Sequence, residues 1–192
     1  MRAKFLEENE LELLKNRLGG RKDNVLLVAE LTGLRIGDVV KIRTSDLDED
    51  GVRYVAEKTG KEGRAPLPPG LIRQLRAQAR YGWVFPSPSK RGQHLTRQAA
   101  WARMKRAAER AGVPREGVSP HSLRKVYAVR KYQSEGIDAA RRALQHSDAR
   151  TTELYALSDW LTGENAVRPL LRGDLALIIE KVVDALHLTL DK

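Results

Sequence analysis

Apolar residues recur along this chain at helical intervals for most of its length, interrupted by one short alternating stretch. Leu6, Leu11, Leu13, Leu14 and Leu18 lie among Glu and Lys, and Gly19-Gly20 stops the run. Val25 to Leu31 is mostly apolar, which suits a buried helix closed by Thr32-Gly33, and a second short helix is predicted through Ile36 to Ile42. Val52, Tyr54 and Val55, then Lys58-Thr59-Gly60-Lys61, then Ala65 to Leu67 read as strand, turn and strand. Pro68-Pro69-Gly70 opens another helix with Leu71, Ile72 and Leu75 on its apolar side.

Trp83-Val84-Phe85 is a short buried segment for which a strand is one reading, and Pro86 to Gly92 is a loop rich in Pro, Ser and Lys. Thr96 is placed to cap a long basic helix ending at Gly112. Ser119-Pro120 introduces a helix that runs to Gly136, followed by two shorter helices over Ile137 to Leu144 and Thr151 to Leu157. Leu175, Ile178, Ile179, Val182 and Leu186 return to helical spacing after Gly173-Asp174. The pattern predicts a mainly α protein with a small antiparallel β-hairpin, organised as one domain over 1–172 and a C-terminal helix within 173–192. No internal repeat interrupts it.

Composition narrows the class. The chain has 192 residues, of which 41% are hydrophobic, enough for a real core. It has no cysteine, which excludes disulfides, thiol chemistry and Cys-ligated zinc. No apolar run approaches the ~20 residues of a membrane span, and the N-terminus lacks a signal-peptide core. The expectation is a soluble, cytoplasmic protein with no membrane partner. Against 25 Asp and Glu stand 35 Lys and Arg, a net charge of +10. The excess is concentrated: between Lys90 and Lys131 only Glu109 and Glu116 oppose a dense series of cations. Such a basic middle suits a polyanion, and nucleic acid is the usual one. Lys90, Arg91, Arg97, Arg103, Lys105, Arg106 and Lys125 are the candidate DNA contacts.

Asp46 to Glu57 satisfies the spacing of an EF-hand calcium loop, with Gly51 at its sixth place. Such a loop needs a helix on each side and an apolar eighth residue. The segment after Gly51 reads as a strand and the eighth residue is Arg53, so the acids are assigned to an ordinary hairpin turn.

Four segments carry candidate chemistry: Thr32-Gly33-Leu34-Arg35-Ile36-Gly37-Asp38; Lys58 in the hairpin turn; His121-Ser122-Leu123-Arg124, with His and Arg on one helical face; and His146 followed by Tyr155. Singly each has an ordinary structural reading, such as a surface arginine, a packed histidine or a core tyrosine. Together they supply what metal-free attack on a phosphodiester requires. A phenol can form the covalent intermediate, and arginine forks can neutralise the phosphate oxygens. A lysine can protonate the departing oxygen, and histidines can relay protons. The acid clusters of a two-metal nuclease are not evident.

These segments resemble the tyrosine recombinase (phage integrase) family over roughly Phe5 to Leu157. The resemblance implies a catalytic-domain fold with Arg35 and Arg124 as the catalytic arginines, His121 and His146 beside them, and Tyr155, nine residues past His146, as nucleophile. Lys58 is similar to the hairpin general acid, with Lys61 the weaker candidate, and Asp38 to the bracing acid. Lys125 stands where the family often has His, and Gln145 where it often has Gly; neither removes a catalytic group. What is implied is a site-specific recombinase that needs no metal or other cofactor. It would cleave duplex DNA through a 3'-phosphotyrosine and exchange strands as a homotetramer on two duplexes, through a Holliday junction. Relaxation of DNA in the manner of a type IB topoisomerase, and a non-catalytic DNA-binding regulator on the same fold, are the rival functions. No N-terminal core-binding domain is expected, so the chain is either a naturally short recombinase or a fragment. The C-terminal helix either docks on a neighbouring protomer or packs on its own domain.

Overall fold

Leu11 and Leu14 are completely buried on the inner side of helix α1 (Glu8–Arg17), which packs against the long helix α5 (Arg97–Ala111). In the computed structural model the described residues are 3–18 and 24–135. Helix α2 (Asn24–Thr32) buries Val25, Leu26, Val28 and Ala29 and lies against α6 (Pro120–Glu135), which contributes Leu123 and Val126. Each buried leucine or valine stabilises by roughly 1.5–3 kcal/mol relative to exposure. Its polar residues, Asn24, Glu30 and Thr32, are buried too, and Glu30 is met by Lys15 and Arg130, so the helix can sit inside.

Helix α3 (Ile36–Val39) is shorter than the sequence predicts. Beyond Val39 the chain tightens into i to i−3 hydrogen bonds, Lys41 N–H to Asp38 O and Ile42 N–H to Val39 O. The reason lies downstream. The Ile42 carbonyl accepts from Val84 N–H at 3.1 Å and Arg43 bridges to Trp83, so this backbone is drawn away from a helical path. Trp83-Val84-Phe85, for which a strand was one reading, makes only isolated bridges to Arg43 and Arg80 and is not a strand. A single 3-10 turn at Thr44–Asp46 follows α3, and Asp46 Oδ2 accepts from Arg43 N–H at 2.7 Å.

The predicted hairpin forms from β1 (Gly51–Val55) and β2 (Glu62–Pro66), antiparallel with Val52 opposite Ala65 and Tyr54 opposite Gly63. Val52 and Ala65 face the core. The acidic turn before β1 is used internally: Asp48 and Asp50 pair with Arg64, and Asp48 also with Arg53 at 3.4 Å. This is hairpin chemistry and not a calcium loop, since Arg53 lies within a strand.

Helix α4 (Pro69–Gln78) starts on Pro69 and buries Leu71, Ile72 and Leu75. Helix α5 is capped as predicted, with Thr96 Oγ1 accepting from Ala99 N–H at 3.1 Å and Gly112 closing it in the left-handed region at φ 70°. The helices predicted over 137–144, 151–157 and 174–188 lie outside the described residues, as do His146 and Tyr155. Among the described residues no helix is long and apolar enough to cross a membrane.

Candidate active site and nucleic-acid interface

Helix α2 ends with its own cap. Thr32 Oγ1 donates to Val28 O at 2.6 Å and accepts from Leu34 N–H at 3.3 Å, and Gly33 then takes φ 65°. The chain turns sharply there and Arg35, half-buried, becomes the N-cap of α3, its carbonyl accepting from Asp38 and Val39 N–H. A left-handed residue favours glycine, and packing demands it here as well. A Cβ on Gly33 would stand 2.3 Å from the Tyr127 ring of α6. From the same helix Arg124, only 5% exposed, donates through Nη1 to the Gly33 carbonyl. Gly33 is thus held from both sides by α6. Arg124 is thereby anchored to the backbone two residues before Arg35.

Asp38, 8% exposed, reaches the other way. Its Oδ1 accepts from Glu57 N–H at 3.0 Å, at the base of the hairpin turn. That turn is closed by Ala56 N–H to Lys61 O at 2.8 Å and Gly60 N–H to Ala56 O at 2.8 Å, and it carries Lys58 exposed at its tip. Asp38 thereby ties the turn that carries Arg35 to the turn that carries Lys58.

Tyr54 sits between these groups and was not singled out in the sequence. Its ring lies over Gly63, where a Cβ would fall 2.6 Å from the phenol oxygen. Burial raises the Tyr54 hydroxyl above the usual tyrosine range, with Tyr127 and Asp38 adding to the rise and Arg124 opposing it. A cleft of about 570 Å³ opens beside it, lined by Asp38, Lys41, Arg43, Arg53, Tyr54 and Glu57 among others. Tyr127 stands three residues after Arg124, so its shared helical face was legible, but nothing in the sequence paired it with Gly33. His121 is exposed in the first turn of α6 while Arg124 is buried one turn later.

The candidate DNA contacts do not share one face. Lys90 and Arg91 are exposed on the loop before α5, with Arg91 5.5 Å from the Tyr81 ring centroid. On α5, Arg97, Trp101 and Lys105 follow at i, i+4 spacing, and Lys105 Nζ lies 4.0 Å from the exposed Trp101 ring centroid. Arg106 is exposed and Arg103 half-buried. Lys125 is half-buried and its Nζ donates to the Ala3 carbonyl at 2.6 Å. Among the described residues no three His, Asp or Glu gather as metal ligands.

Residues 4–160 match the model of the phage integrase family. The chain is 36% identical over 149 residues to tyrosine recombinase XerD of Proteus mirabilis, covering 70% of this chain and 47% of that protein. It is likewise 36% identical over 135 residues to tyrosine recombinase XerD of Rhizobium meliloti, covering 65% and 43%. The chain thus spans about half the length of these curated relatives. Its fold is similar to that of the XerH site-specific recombinase bound to palindromic difH substrate in a post-cleavage complex. That match has a TM-score of 0.67 at 20% identity and covers 86% of this chain and 53% of that one. It is also similar to a lambda integrase tetramer bound to a Holliday junction, with a TM-score of 0.61 at 21% identity, covering 79% and 49%. Because the family model spans most of its length, the chain belongs to the phage integrase family.

Proposed function

We propose that this chain carries out site-specific DNA recombination through a covalent 3'-phosphotyrosine at Tyr155. The observation that carries the reading is the pair of backbone anchors that converge on the Arg35 turn. Arg124 reaches it through Gly33 O, and the Lys58 hairpin reaches it through Asp38 and Glu57 N–H. This supports a reading in which two guanidinium groups and one ammonium meet a single phosphate, since pre-oriented charge is usually the largest source of catalysis in such transfers.

In this mechanism Arg35, Arg124 and His121 hold the scissile phosphate, and His146 donates a further hydrogen bond. The Tyr155 oxygen attacks phosphorus as its proton passes to a histidine. The bond to the 5' oxygen breaks, and Lys58 supplies the proton that leaves it a free hydroxyl. Attack by the 5'-hydroxyl of a partner strand reverses the step and regenerates the phenol, so no bond energy is lost. Lys90, Arg91, Arg97, Arg103, Lys105 and Arg106 contribute phosphate contacts that position the duplex. Four copies acting on two duplexes in the cytoplasm would complete an exchange by way of a Holliday junction, with residues 173–192 docking on a neighbouring copy.

The test is a nicked duplex carrying a target site, offered to wild type and Tyr155→Phe in the presence of EDTA. A covalent adduct on the 3' phosphate, lost in the variant, is expected. An adduct that survives in Tyr155→Phe removes Tyr155 as nucleophile.

A further inference from the structure

Glu57 immediately precedes Lys58, and its carboxylate meets Lys41 beside the stem of Arg97, two cations from other places in the fold. Oε1 accepts from Lys41 Nζ at 2.6 Å, just beyond the end of α3. Oε2 lies 3.7 Å from the point where a Cβ on Gly37 would stand, and Arg97 Cδ lies 3.2 Å from the same point. Gly37 thus leaves room beside it for both the Arg97 stem and the Glu57 carboxylate. His94, three residues before Arg97, is held by Nδ1 against the Leu95 carbonyl at 2.7 Å and edge-on to Trp83. The hydrogen bond and charge of Lys41, with Arg97 and His94 behind them, hold the Glu57 carboxyl below the usual glutamate range.

Folding gives little reason for this gathering. The Glu57 side chain is 58% exposed and Lys41 44%, and ion pairs so exposed contribute little to stability. What the cluster does offer is a ready-made anion site whose present occupant belongs to the protein. It also lies at the head of a track, because Arg97 is followed by Trp101 and Lys105 along one flank of α5, and it adjoins the turn that presents Lys58.

We infer that Lys41 and Arg97 form a binding site for one phosphate of the DNA backbone, filled in the free protein by the Glu57 carboxylate. The inference rests on the reading that this chain binds duplex DNA with Lys58 beside the scissile phosphate. On docking, a backbone phosphate displaces the carboxylate: it offers the same single charge on two unbridged oxygens, suits the guanidinium fork equally well, and is held in place by the rest of the bound duplex. Glu57 then acts as a built-in competitor: it lowers affinity for any duplex that does not reach the site.

The experiment measures affinity of the full chain for a fluorescent duplex by anisotropy over a range of salt. Glu57→Gln is expected to bind severalfold tighter than wild type. Its log K against log salt is expected to keep the wild-type slope, because the contact is made in both complexes, whereas Lys41→Gln/Arg97→Gln is expected to lower the slope by about 0.9, the loss of one phosphate contact. The same substitution made on a Lys41→Gln/Arg97→Gln background is expected to change neither quantity. An equal gain in both backgrounds is a general effect of removing negative charge and overturns the site, and so does an unchanged slope in Lys41→Gln/Arg97→Gln. Circular dichroism of each variant separates misfolding from lost contacts. If wild type binds no duplex even at low salt, the DNA reading itself fails, a result distinct from a wild type that binds and a Glu57→Gln that gains nothing.

Discussion

The Arg124 guanidinium donates to the carbonyl oxygen of Gly33, 91 residues earlier and two residues before Arg35. The same Gly33 carries the Tyr127 ring on its Cα, so one residue fixes helix α6 to the turn that presents Arg35.

Gly33→Ala is therefore expected to be severe. The methyl would meet Tyr127 at 2.3 Å, and φ 65° disfavours any side chain. Left-handed strain of roughly 1–2 kcal/mol adds to overpacking of about 1–3 kcal/mol. Gly60 has a similar φ, 67°, with open space around it, so Gly60→Ala should carry the strain alone. Urea unfolding of the two variants checks this; equal losses would show that the Tyr127 contact is dispensable.

Asp38→Ala should uncouple binding from chemistry. It removes the acceptor for Glu57 N–H and loosens the Lys58 turn, while the basic surface is untouched. A hydrogen bond to a charged group is worth about 1.5–3 kcal/mol, so the rate of adduct formation is expected to fall by roughly tenfold or more at unchanged duplex affinity. Asp38→Asn keeps an acceptor oxygen and should recover part of the rate. Single-turnover cleavage beside an affinity measurement separates the two effects.

Lys125 and Arg106 should behave differently although both belong to the basic middle of the chain. Lys125 is engaged by the Ala3 carbonyl, so Lys125→Gln is expected to cost about 1 kcal/mol of stability with the salt dependence of binding unchanged. Arg106 is exposed, and Arg106→Gln should leave stability within about 0.5 kcal/mol and reduce the salt slope by about one. Thermal unfolding and salt titration on both variants test the contrast.

Tyr54 makes an alkaline prediction. Burial raises its ionisation above the ordinary tyrosine range, so the unfolded chain ionises first. The stability it contributes is complete below the ordinary tyrosine range and is lost as pH rises through the elevated folded value. Tyr54→Phe should flatten that alkaline limb. Denaturation midpoints across pH 9 to about 11 read it directly; an unchanged limb would mean the phenol ionises alike in both states.

Local order was legible because its determinants are local. The Thr96 and Gly112 caps, the Pro68-Pro69-Gly70 start, the Thr32-Gly33 stop and the turn around Gly60 each depend on a few neighbouring residues. Their geometry follows from steric and hydrogen-bonding rules that need no partner. The same locality misleads where a distant segment intervenes. Backbone bonds between Ile42 and Val84 cut α3 short, and Trp83 to Phe85 make bridges where a strand was one reading. The candidate catalytic residues could be chosen from residue types and order, with Arg35, Lys58, His121 and Arg124 falling on the turn, hairpin and helix predicted for them. What holds those parts together could not. That Gly33 serves Arg124 and Tyr127, that Asp38 reaches the Glu57 amide, and that Glu57 meets Lys41 and Arg97 are facts of proximity between elements far apart in the chain. Helical periodicity states which side of a helix is apolar but not which neighbour covers it, and packing alone decides that.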